Sequence, residues 1–271
     1  MTRLLGCDFS SSPTKHKNIV LAWGAWRDQR LVIDHLQACT SLDDFAQALH
    51  APGPWVGGFD LPFGLPRELV NSLSWPQQWR ACIDHYAGFS RAHIRELFKA
   101  FCDARPAGRK FAHRATDMPA GSSPSMKWVN PPVAYMLHVG VPLMLKAGLD
   151  FPGLSAGDAS RVALEAYPGW LARQLIGSRS YKSDDKAKQT PERLIARKDI
   201  LQALVNGHQG VSLYLRPAQH DDLVQDASGD KLDAVLCMVQ AAVAQQHHER
   251  GDKRYGLPLD MDPLEGWIIG V

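Results

Sequence analysis

The chain has 271 residues, 45% hydrophobic and 21% charged, with 30 Lys and Arg against 28 Asp and Glu for a formal net charge of +2. That is enough apolar chain for one large domain and excludes intrinsic disorder, and no run approaches the roughly 18 apolar residues of a membrane span. The balanced charge argues neither for nor against a nucleic-acid partner.

Residues 3–8 and 18–24 read as two strands joined by a polar, Ser-rich turn, and 30–36 as a third, the close spacing of hairpins or a meander. In "SLDDFAQALH" (41–50) Ser41 is placed to cap a helix with Asp44 three residues on, and Phe45 and Leu49 share a face. "PWVGGFDLPFGLP" (54–66) is a short apolar strand that ends in Asp60 and a Pro/Gly loop. Residues 67–155 carry helical patches between Pro/Gly/Ser-rich loops and read as a helical insertion. A strand pattern returns at 161–167, closed by Pro168 and Gly169. Helices are expected at 191–205, with Pro191 in the first turn, and at 229–244; "DPLEGWIIGV" reads as a final short strand. The five cysteines are scattered, with no CxxC or Cys/His zinc spacing, which suits reduced, buried thiols. With no apolar leader segment, the expected compartment is the cytoplasm.

Four acids stand where chemistry is possible. Asp8 ends the first strand, Asp60 ends the strand after the first helix, and Asp230 and Asp233 sit at i and i+3 in the late helix. Singly each has a plain structural role: strand-end Asp residues make turns, and a first-turn acid complements the helix dipole. Asp233, between Leu232 and Ala234 where the helix turns apolar, is harder to dismiss, because buried Asp is rare unless paired or metal-bound. If the two Asp-tipped strands are neighbours, the four acids form an all-oxygen cluster suited to Mg²⁺ or Mn²⁺. Two such ions roughly 3.5–4 Å apart can activate a water and stabilise the leaving oxygen of a phosphodiester.

The strand–strand–strand–helix–strand opening with "GCDFS", then "GFDLPFGLP", "EAYP", "DKLDAVLCMVQA" and "EGWI", resembles the family known as domain of unknown function 429. The resemblance spans nearly the whole chain. It implies a single ribonuclease H-like α/β domain: a mixed five-stranded sheet, order 3-2-1-4-5, with helices on both faces and the insertion at about 67–155. It also implies that Asp8, Asp60 and Asp233 are the core metal ligands, Asp230 the fourth, and Glu165 of the Glu-x-x-Pro motif an acid beside them. Arg114 and Asp117 in "RATD" and Lys182 in "SYK" match family motifs; a basic side chain near the cluster can bind the scissile phosphate. The insertion is absent from a minimal ribonuclease H domain, and a segment that narrows the site argues against a long duplex substrate.

Basic residues cluster at 105–114 and 173–198, either as phosphate contacts or as a solvated surface. Ser10, Ser11 and Lys15 lie in the turn after the first acid, at the expected lip of the site. Glu265 is expected to hold the C-terminal segment by hydrogen bonds, and His247 and His248 to be surface residues. Together these residues lead to a Mg²⁺- or Mn²⁺-dependent nuclease, a hydrolase acting on nucleic acid or oligonucleotides, with two ions expected. The alternative is a catalytically inactive ribonuclease H-like module that binds nucleic acid or nucleotide. A phosphotransferase of the actin and sugar-kinase branch ranks last, since no phosphate-cradling Gly-rich loop is present.

Overall fold

A computed structural model describes residues 2–271. The opening forms β1 (Arg3–Asp8), β2 (Ile19–Arg27), β3 (Arg30–Cys39), α1 (Leu42–Ala48) and β4 (Trp55–Asp60). The cap expected on α1 is present: the Asp44 amide donates to Ser41 Oγ and the Ser41 amide donates to the Asp44 carboxylate, each at 3.0 Å. A helical layer follows, α2 (Arg67–Ser72), α3 (Trp79–Ala87), α4 (Arg91–Asp103), α5 (Asp117–Ala120) and α6 (Val133–Lys146). The chain then returns through β5 (Leu149–Asp150) and β6 (Asp158–Glu165) to α7 (Pro168–Ile176) and α8 (Pro191–Asn206). Last come β7 (Leu213–Tyr214), α9 (Pro217–Gln225) and α10 (Asp230–Glu249).

The strands build one mixed sheet in the order β5-β6-β4-β1-β2-β3-β7. β2 runs antiparallel to β1 and β3, and the other pairings are parallel. The sheet has seven strands where five were expected. The two additions, β5 and β7, are two residues long, too short for alternation to register in a sequence. The final segment is not a strand either. It makes a single parallel bridge, Glu165 to Ile268, between Gly266 and Gly270, whose positive φ angles of 68° and 89° break the extended run. Pro168 does more than close β6: it occupies the first turn of α7, a position that suits its fixed φ and missing N–H.

Alternation along the strands divides the interior into two cores. Leu5, Cys7, Trp23 and Phe59 face α1, α3, α4 and α6, so the segment at 67–155 shares a continuous core with one face of the sheet. Leu4, Val20, Ala22 and Val56 face α7, α8 and α10. α10 is buried nearly all round through its middle, as a helix enclosed by other elements should be. Among the described residues no helix is long and apolar enough to cross a membrane.

Candidate metal centre

β1 and β4 are parallel neighbours, and their register pairs Asp8 with Asp60 and, two residues earlier on the same face, Gly6 with Gly58. A side chain at Gly6 would collide with the Ala234 carbonyl and the Met238 backbone, and one at Gly58 with the Cys237 carbonyl. The two glycines therefore let the backbone of α10 lie directly on the sheet. That contact delivers Asp233, four residues past the α10 N-cap Gly229, over the ends of both strands. One carboxylate oxygen from each of Asp8, Asp60 and Asp233 lies within 4.8 Å of the others. Asp233 is fully buried, while Asp8 and Asp60 are partly open.

Three acids this close repel one another when ionised. Burial is the main cause that raises the Asp8 carboxyl well above the usual range, with Asp233 adding to it. Burial pushes Asp60 up to about 7 against the attraction of Lys182. Asp233 is also raised by burial, although Lys182 and Tyr181 favour its charged form. Lys182 Nζ donates to Asp233 Oδ2, and the Tyr181 hydroxyl donates to Oδ1 at 2.5 Å.

The basic segment 173–198 supports this pair. Arg193 donates to the Lys182 carbonyl at 2.7 Å. Arg197, buried, donates to the carbonyls of Tyr181 at 2.6 Å and Val224 at 2.8 Å. Gly229, at φ 79°, abuts the Lys182 stem, where any side chain would crowd it.

The other expected site residues divide. Asp230 lies outside the triad: its carboxylate accepts from Lys17 Nζ at 2.8 Å, and Lys17 also binds Asp184 at 2.9 Å. Arg114, expected as a phosphate contact, has its donors committed within the protein. All five of its N–H groups are engaged, by Asp117 at 2.9 and 3.0 Å, Glu165 at 2.6 and 2.8 Å and the Glu265 carbonyl at 3.0 Å. Glu165 accepts those bonds and one from the Phe63 amide at 2.9 Å, so it anchors the loop after β4 and is not part of the triad. Arg114 and Glu165 are each only 3% exposed. Glu265 holds the C-terminal segment as expected, accepting from the amides of Arg67 at 2.7 Å and Ala115 at 2.8 Å. Ser10 Oγ accepts from the Ser12 amide at 3.4 Å, Lys15 is exposed, and Arg91 of α4 ties the turn down through the Ser11 carbonyl and Ser12 hydroxyl at 2.6 and 2.9 Å.

A cleft of about 400 Å³ opens beside the triad, with Asp60, Lys182, Arg114 and Glu165 among its lining. Sequence reasoning missed Tyr181, Lys17 and Arg197. Only the adjacency of Tyr181 to Lys182 offered a signal, whereas Gly6 and Gly58, each two residues before an acid, could have been found. No family model, no curated protein and no solved structure matches the chain. The donor set itself is informative: once ionised, three carboxylates against a single ammonium carry net negative charge and present hard oxygen ligands. That fits a hard divalent cation better than a soft one.

Proposed function

We propose that the chain is a metal-dependent phosphodiester hydrolase acting on nucleic acid, with a ribonuclease H-like core related to the domain of unknown function 429 family. The observation that carries this reading is the convergence of Asp8, Asp60 and Asp233 from two parallel strand ends and a late helix. The sheet supports it: without its two-residue edge strands the order is β3-β2-β1-β4-β6, which matches 3-2-1-4-5 with β6 as the fifth strand.

Asp8, Asp60 and Asp233 would hold Mg²⁺ or Mn²⁺. When bound, a pair of such ions supplies a nucleophilic water and Lewis-acid stabilisation of the leaving oxygen. Lys182 lines the cleft and binds Asp233, so its ammonium stands beside the triad to pair with a substrate phosphate. Tyr181 fixes the Asp233 carboxylate through its hydroxyl. Lys17 keeps Asp230 turned aside. Asp233→Asn removes one anionic ligand from the least exposed corner of the triad. In a Mn²⁺-supplemented screen of single-stranded, duplex, hybrid and branched oligonucleotides, it should lower cleavage at least ~100-fold. Cleavage at the native rate would sink the assignment.

A second reading has one observation in its favour. Both oxygens of Asp233 are already engaged by Lys182 and Tyr181, an arrangement that also suits an inactive module binding nucleic acid or nucleotide. Calorimetry that shows no Mn²⁺ uptake would favour it.

A further inference from the structure

We propose that the cleft beside the triad receives one unpaired nucleotide, so that the substrate is a single strand or a frayed end in preference to an intact duplex. This rests on the phosphodiesterase reading and specifies its substrate. At about 400 Å³ the cleft lies at the lower end of the roughly 300–1,000 Å³ of small-molecule sites, room for one nucleotide unit. Asp60 and Lys182 in its lining mark the phosphate end, because both belong to the acid cluster.

The rest of the lining suits a nucleobase. Pro131, Val133 and Met136, at the start of α6, make one apolar wall, with Leu61 and Pro62 also lining the cavity. The Ser123 hydroxyl supplies a polar group for a base edge, beside Ser122, whose hydroxyl donates to Asp117 at 3.1 Å. Tyr167 is rigidly mounted: its amide and carbonyl both bond to the Gln240 side chain of α10 at 2.9 Å, and the Arg173 guanidinium lies 5.4 Å from its ring centroid. Flat apolar surfaces with a few polar groups bind bases with little sequence preference. A base inside a duplex is stacked and paired, so it reaches such a pocket only by leaving the helix.

In the step itself, the oxygen of water bonds to phosphorus and the P–O bond to the neighbouring nucleotide breaks. One water proton ends on the leaving oxygen as a hydroxyl, and the other on the phosphomonoester or in solvent.

The test uses the full chain with Mn²⁺. Single-stranded DNA, single-stranded RNA and a blunt DNA duplex of matched sequence are compared for cleavage and for binding by fluorescence polarisation, with bis(p-nitrophenyl) phosphate as a minimal diester. Single strands should be cut at least ~10-fold faster than duplex. Met136→Trp, which fills the cleft, should raise the single-strand KM about tenfold while Mn²⁺ uptake persists. Val133→Trp on the same wall repeats the measurement if the first variant does not fold. Equal cleavage of duplex and single strand, or an unchanged KM in the filled variant, would overturn the cleft assignment and leave the nuclease reading standing. Single-strand-selective binding weakened by the filled cleft, with no diester hydrolysed, would support the cleft and overturn the nuclease reading.

Discussion

At the scale of single residues, the molecule treats its buried acids in two ways. Glu165 and Asp117 share Arg114 in a closed network that engages all of its N–H groups. Asp8, Asp60 and Asp233 share only Lys182, one partly exposed ammonium. Glu165→Gln should therefore behave as a core substitution. It strips a charge partner from a buried guanidinium and should cost roughly 3 kcal/mol by urea denaturation without loss of Mn²⁺ uptake. A change below about 0.5 kcal/mol would show that Asp117 suffices alone. The three triad acids were legible in the sequence as a joint pattern: two carboxylates at the tips of apolar strands, each explicable alone as a turn residue, and a third inside an apolar helix, where a buried acid needs a partner. The fate of Arg114 was not. A motif match identifies a residue but not its partners, and Arg114, Glu165 and Glu265 meet only through tertiary structure. Asp230 misleads for a related reason: i,i+3 spacing sets a helix face, whereas Lys17, from the far end of the chain, decides where its carboxylate turns.

At the scale of elements, the docking of α10 on β1 and β4 makes the site. Gly6→Ala places a methyl against the backbone of α10, a contact that no rotamer change relieves. It should cost at least ~3 kcal/mol and weaken Mn²⁺ uptake even in the fraction that folds. A variant with native stability would mean that the helix can ride higher on the sheet. The longer elements announce themselves: β1, α1, β4, α8 and α10 lie close to where periodicity and capping place them. The misses have physical reasons. α7 begins on a Pro-Gly pair that also spells a turn. β5 and β7 exist only because a neighbouring edge offers hydrogen-bonding partners.

At the scale of the whole molecule, the triad couples stability to both proton and metal concentration. An unfolded Asp titrates near 3.9, whereas folded Asp60 titrates at about 7. Between those values the folded state binds more protons, so this contribution is complete below about pH 4 and is lost as pH rises through about 7. A divalent ion replaces the missing protons as the neutralising charge. The rise in Tm on adding Mn²⁺ should therefore be larger at pH 8 than at pH 5, and equal rises at the two pH values would contradict it.

The order of the ligands along the chain has a consequence during synthesis. Asp8 and Asp60 leave the ribosome before α10, which carries Asp233 and is the last helix among the described residues. A nascent chain holds only two of the three carboxylates until α10 has been made. If the centre cuts nucleic acid, the messenger and ribosomal RNA around the nascent chain meet an inert precursor until α10 has been made.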